Sequence, residues 1–335
     1  MTGRTMLGVE LSLDRPVAEA VDLAVVAEDE GFDTVLGSCH YNNRDPFVAA
    51  SRIAAATETV GVGPAAANPY ETHPVALAGR VATLDEVSDG RALFGLGPGD
   101  RSTLANLGED QDRPLRRVLE TMRVSRHLFD GERVDHDGTF QATDAGLNFE
   151  PGPIPIYVGA QGPHMLRMAA KHADGVLLNA SHPDDVAWAS ERVEEGMAER
   201  DPDRNEPDFV VYAGVSVAED AAAARTVARQ PVAFVVGGAD ERALDRHGID
   251  GDRAAEVGAA IEAGDFEDAF DLVTPAMLDA FAVAGAPEDV AERIDALLEY
   301  ADGIVAGSPL GPEPAAAIRL AGAAVDRSTR AERDR

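Results

Sequence analysis

The chain has 335 residues, 45% hydrophobic and only 5% aromatic, with 60 Asp plus Glu against 29 Lys plus Arg and a net charge of −31. That length admits one large barrel or two medium domains, and the acidity argues against nucleic acid as a partner because no basic stripe exists to meet phosphates. No apolar run approaches the roughly 18 residues of a membrane span, Met1–Arg4 leads into a strand-like segment without a signal-peptide pattern, and a lone Cys39 excludes an intrachain disulfide or thiolate zinc cluster, so a cytoplasmic chain without a metal is expected.

In chain order, Leu7–Leu13 reads as a strand and Pro16–Glu30 as an amphipathic helix opening after Asp14. Gly31–Gly37 is a strand followed by a helix over Asp45–Ala56; Thr59–Asn68 is a strand followed by a helix over His73–Ser88. Gly90–Asp100 is a strand, with a helix at Pro114–Leu128. Ile154–Pro163 and Asp174–Ser181 are strands bracketing a helix at His164–His172, and Asp208–Val217 and Asp302–Pro309 are the last two strands. Short Val- and Gly-rich strands of this kind are buried on both faces, and regular alternation with helices implies a parallel sheet. Eight such units predict a (β/α)₈ TIM barrel, a single α/β domain over residues 1–326. Two stretches are expected to be insertions: a hairpin at about 131–153, and a helical region at about 218–284 whose one strand-like run is Val232–Gly238. The tail at 327–335 is expected to be frayed.

The acids are scattered along every helix and Lys171 is the only lysine. Such a surface repels itself in dilute buffer, whereas at about 1 M salt the Debye length falls to roughly 3 Å and the repulsion is screened. The balance therefore reads as adaptation to a molar-salt cytoplasm rather than as a docking face for a basic partner, which would concentrate the charge in runs.

Barrel chemistry resides in the loops after the strands' C-terminal ends, and the polar signals fall there. Glu10 stands among Gly8, Val9 and Leu11; a buried carboxyl suits a general acid, or else an internal ion pair. His40 is a candidate proton shuttle or cofactor contact, or a packing histidine. Asp100 ends a Gly-Pro-Gly turn and is a candidate acid or a helix cap. In "GAQGP", Gly159 and Gly162 flank Ala160 and Gln161 at a helix start, a pattern that brings backbone N–H groups to an anion, or simply a tight turn. "GSPLGP" (Gly307–Pro312) offers a second rigid loop.

Together the segments "GVEL" (Gly8–Leu11), "HYNNRD" (His40–Asp45), "GP…NPYETHP" (Gly63–Pro74), "GLGPGD" (Gly95–Asp100), "YVGAQGPHML" (Tyr157–Leu166), "ADGVLLNASHP" (Ala173–Pro183), "AGAPEDVAERIDALL" (Ala284–Leu298) and "VAGSPLGP" (Val305–Pro312) resemble the bacterial-luciferase-like barrel family. Within it they look like the branch that reduces methylene-tetrahydromethanopterin with the deazaflavin coenzyme F420. The resemblance implies a ring held in the barrel mouth, backed by a non-prolyl cis bond at Ala65–Ala66, with the phosphate-holding loop at Gly159–Gly162. It implies cofactor contacts from Cys39, His40, Asn42 with Asn43, Ala65, Ala66, Asn68, Gly97, Gly159, Ala160, Gln161, Gly162 and Asn179. One departure stands out: family members usually carry Asp-His where this chain has Cys39-His40, which shifts weight onto Glu10 and Asp100 as acids. The implied reaction is hydride transfer from reduced F420 to a methylene-tetrahydropterin, of either the tetrahydromethanopterin or the tetrahydrofolate type, giving the methyl-pterin. An FMN-dependent luciferase-like monooxygenase and a non-catalytic flavin-binding relative are the alternatives. A homo-oligomer is expected by analogy with barrel relatives.

Overall fold

The computed structural model describes residues 6–333, with side chains as far as Ala324. Met1–Thr5, Asp334 and Arg335 lie outside the described residues, and with them the reading of Met1–Arg4 and the end of the tail. In order the elements are β1 (Leu7–Leu11), α1 (Val17–Asp29), β2 (Thr34–Ser38), α2 (Pro46–Ala54), β3 (Gly61–Ala65), α3 (Pro74–Val87), β4 (Phe94–Leu96), α4 (Arg101–Asn106) and α5 (Pro114–Phe129). There follow β5 (Val134–Asp137), β6 (Gln141–Ala145), β7 (Ile156–Gly159), α6 (Pro163–His172), β8 (Gly175–Asn179), α7 (Pro183–Met197) and β9 (Asp208–Val217). The chain continues with α8 (Ala221–Gly238), α9 (Glu241–Arg246), α10 (Gly251–Ala263), α11 (Phe266–Leu272), α12 (Pro275–Phe281), β10 (Val283–Gly285), α13 (Pro287–Leu298), β11 (Gly303–Leu310) and α14 (Pro314–Arg333).

Eight parallel strands run in the order β3-β2-β1-β11-β9-β8-β7-β4. The ends of that path meet, since Val62 bridges Ala92 and Ala67 bridges Leu96, so the sheet closes into the barrel that the alternation predicts. At this seam the backbones pass very close: a Cβ on Gly63 would lie 2.0 Å from the Leu93 carbonyl oxygen, and one on Gly95 2.1 Å from that of Pro64. Only glycine permits that approach.

Alternation along each strand sorts the side chains. Val9, Leu11, Val35, Val62, Phe94, Leu96, Val158, Val176 and Val211 pack outward against the helices in the main core. Leu36, Leu93, Tyr157, Leu177, Val210 and Val305 form a second cluster inside the barrel, with Tyr212 and Ala65 against it. Many of the helices begin with proline in the first turn, as in α2, α3, α6 and α7, where its missing N–H costs nothing.

Three details differ from the sequence reading. The β-branched run Val232–Gly238 is the end of α8, because Ala228, Val232 and Val236 share a helical face in the core of the insertion. The strand in this region is instead β10, three residues long and paired to the end of β9. The expected frayed tail is helical through Arg333. The stretch 131–153 does carry an antiparallel hairpin, β5 with β6.

Candidate active site

Because Val9 and Leu11 face the helices, Glu10 faces the barrel axis, and it is 2% exposed. Its Oε2 accepts two hydrogen bonds, from the Tyr212 hydroxyl at 3.0 Å and from the Ser308 N–H at 3.0 Å. The Ser308 hydroxyl spans the same strands, donating to the Glu10 carbonyl at 3.4 Å and accepting from the Ser12 N–H at 3.1 Å. Burial, with the Glu10 carboxylate next in effect, holds the Tyr212 phenol well above its ordinary pKa, so it remains a donor.

Above this pair the wall is nearly bare. Ala66, Gly97 and Gly159 face one another across the β3, β4 and β7 ends: a Cβ on Gly97 would come 3.3 Å from the Ala66 Cβ, and one on Gly159 would lie 3.9 Å from it. The result is a flat shelf suited to one face of a planar ring. The Ala65–Ala66 bond is cis, and so is Ser308–Pro309. The Gly97 and Ala160 N–H groups are committed to the carbonyls of Ala67 and Leu177, at 2.9 Å each. These two residues therefore shape the site and do not donate to a ligand, which corrects the part expected of Ala160 in the phosphate cradle.

At the rim, Gly162 is the N-cap of α6 and supplies no side-chain cap, with Pro163 at the first helical position. By contrast α2, α4 and α7, which also open at this end, are capped by Asp45, Asp100 and His182. Exposed Gln161 and Gly162 lead into an unfilled helix N-terminus, whose amides and dipole favour an anion. Asn179 ends β8, exposed at the same mouth.

Asp100 is drawn away from acid chemistry. It caps α4 through the Thr103 N–H at 2.8 Å and also accepts from the Ser102 and Thr103 hydroxyls. Burial would raise its carboxyl, but these bonds and the nearby His40 outweigh it and hold the group below the ordinary carboxylate range. Asn68 is also spent locally: its Oδ1 accepts from the Tyr70 and Glu71 N–H groups at 3.1 and 3.0 Å, and its Nδ2 donates to Glu71 at 2.7 Å.

A side pocket of about 170 Å³ opens between the loops after β2 and β3, with Cys39, His40, Asn43, Ala67, Asn68 and Arg80 in its walls. Asn42 is exposed and not among the lining residues; Asn43 takes its place, its Nδ2 donating to the Ser38 hydroxyl at 3.4 Å. Burial, then the charges of Glu71 and Asp45, push the Cys39 thiol up to about 12. A thiol so held is a neutral wall and not a nucleophile. Sequence reasoning missed Tyr212 and Ser308. Tyr212 had a signal, since it is the polar member of the inward series Val210, Tyr212, Gly214, as Glu10 is on β1.

The model of the luciferase-like monooxygenase family matches residues 4–303. The chain is 40% identical to 5,10-methylenetetrahydromethanopterin reductase of Archaeoglobus fulgidus, over 94% of this chain and 97% of that one. It is 40% identical to the enzyme of the same name from Methanolobus tindarius, over 94% and 98%. Among solved structures, the coenzyme F420 dependent tetrahydromethanopterin reductase of Methanopyrus kandleri superposes with a TM-score of 0.89 at 36% identity, covering 96% of this chain and 98% of that one. An F420-dependent secondary alcohol dehydrogenase shares the fold at a TM-score of 0.80 and 20% identity. On the strength of the family match and of these full-length likenesses, the chain belongs to the luciferase-like monooxygenase family.

Proposed function

We propose that the chain is an F420-dependent oxidoreductase that reduces the methylene group of a methylene-tetrahydropterin to a methyl group. The observation that carries the reading is the pairing of an inward, buried carboxyl with a side-chain-free shelf at one barrel mouth, in a chain 40% identical to reductases of this name along nearly its whole length. The FMN-bound neighbour, a Baeyer-Villiger monooxygenase component, is 21% identical with a TM-score of 0.67, so FMN chemistry has the weaker support.

The mouth fits a deazaflavin. The shelf of Ala66, Gly97 and Gly159 would hold the planar tricycle, and the uncapped N-terminus of α6 at Gly162 would hold the anionic tail with Gln161 alongside. His40, Asn43 and Asn179 would supply polar contacts to the group. When bound, the deazaflavin supplies the hydride. The chain's own task is the proton: reduction requires the bridging C–N bond of the substrate to open, with its electron pair leaving on nitrogen. Glu10 is the acid that protonates that nitrogen, and Asp100, held as an anionic helix cap, is not. Cys39 contributes a neutral wall. The remaining contribution is positioning. By the acidic balance of the surface, we place this activity in molar salt.

The test is anaerobic incubation of the purified chain with chemically reduced F420 in molar KCl, with methylene-tetrahydromethanopterin and methylene-tetrahydrofolate in separate arms. Oxidation of the deazaflavin with formation of methyl-pterin in either arm is the expected result. No conversion in either arm, or oxygen uptake supported by reduced FMN alone, overturns the reading.

A further inference from the structure

We infer that Tyr212 is a positioning residue which, together with the Ser308 N–H, forces the proton of Glu10 onto Oε1, the oxygen that receives no hydrogen bond from the described residues. The inference rests on the proposed function for its chemical meaning, and on hydrogen bonding alone for its structural content.

An ionised carboxylate oxygen has two lone-pair directions in the carboxyl plane. At Glu10 both directions on Oε2 are taken, by the Tyr212 hydroxyl and the Ser308 N–H, each at 3.0 Å. A proton on Oε2 would have to displace one of them. The Ser308 N–H can only donate. The Tyr212 hydroxyl could turn to accept, but it has no other acceptor among the described residues, so its own proton would lose the partner it now has. Oε1 carries no such constraint: it receives no hydrogen bond from the described residues and is not among the fully buried atoms lacking a partner.

The two oxygens of this carboxyl are thus unlike each other. Oε2 is the anchor, held from β9 and β11 at once, and Oε1 is the working end. A proton on Oε1 is aimed at a substrate nitrogen with no rotation of the carboxyl before transfer. As the substrate C–N bond breaks, its electron pair takes that proton, and the carboxylate left behind is already solvated by the two donors on Oε2. Tyr212 is the titratable group in contact with Glu10; the neighbouring strands otherwise present Leu36 and Ser38 from β2, and Val305 and Gly307 from β11.

The experiment compares the wild type with Tyr212→Phe, which deletes one donor and keeps the ring, after circular dichroism has verified the fold. The expected result has three parts. The kcat falls about 10-fold with KM changed less than about three-fold. The alkaline limb of the kcat–pH profile moves up by about one pH unit, because a carboxylate with one donor fewer is harder to ionise. The infrared carboxyl C=O band that Glu10→Gln removes shifts in Tyr212→Phe. A fall in kcat with the limb and the band both unmoved, or no change in any of the three, overturns the inference, since loose packing alone would do no more.

Should Tyr212→Phe fail to fold, 3-fluorotyrosine at position 212 serves instead. Its more acidic hydroxyl is a stronger donor, so the limb must move down and the band must shift; an unmoved limb and band reject the idea. The infrared band needs no turnover. A chain inactive toward either methylene-pterin but showing the band shift would reject the proposed function and leave Tyr212's role standing.

Discussion

The two ends of the barrel treat their polar groups in opposite ways. At the floor, where strands begin, the arginines and carboxylates are heavily engaged with one another and with backbone groups. Arg91 donates to the carbonyls of Ser88, Val60, Ala54 and Thr57 and to the Thr57 hydroxyl, and so ties the β3–β4 seam to the end of α2. Arg126 and Arg204 close on the Asp174 carboxylate at 2.9 and 3.3 Å, and Arg200 caps the end of α6 through the Ala170 and Ala173 carbonyls. Glu28 collects the N–H groups of Glu58, Thr59 and Val60. At the mouth Asp100 and Asn68 are spent locally, but among the described residues one oxygen of Glu10 receives no hydrogen bond and the first turn of α6 has no side-chain cap. Saturation stabilises a fold and leaves nothing for a ligand, so the contrast separates the end that holds the barrel from the end that works.

Substitutions at each end should therefore break different things. The largest effect belongs to Glu10→Gln, which should lower kcat at least about 100-fold while a fluorescence titration finds cofactor affinity unchanged; retained turnover removes Glu10 from the mechanism. Arg91→Lys should cost about 2 kcal/mol by urea denaturation, because several buried carbonyls lose their donor, with kcat in the folded fraction intact. A loss of kcat equal to Glu10→Gln would erase the distinction between the ends. Gly159→Ala puts a Cβ on the shelf at ordinary van der Waals distance from the chain itself, so the melting temperature should hold while cofactor affinity falls at least about 10-fold. Unchanged affinity would mean that the ring lies elsewhere. Smallest of all is Asp100→Asn, which keeps a competent cap and should stay within about three-fold of wild-type turnover; a 100-fold loss would restore Asp100 as an acid.

The strands of the barrel were legible because each is a short β-branched run ended by a polar loop, and a parallel sheet covered on both faces leaves no other pattern. Glu10 was legible for the same reason, as a charge where the pattern demands an apolar or small residue. Tyr212 carries the same mark but was passed over, since a tyrosine in a strand is ordinary until its partner is known. The insertion misled because Val232–Gly238 is both a β-branched run and a helical face, and periodicity alone does not choose between them for so short a stretch. The roles of Asp100 and Asn68 depend on turns, and those of Ala160 and Gly97 on which carbonyl lies opposite. Such commitments arise only when distant segments meet.

The bare start of α6 has a consequence for how this protein can change. If the proposed anion is held there by peptide dipoles, its grip does not depend on a cationic side chain that a growing coat of acids could neutralise or that substitution could delete. On that proposal surface charge and cofactor capture are uncoupled, and the exterior can follow its environment while the grip inside stays as it was.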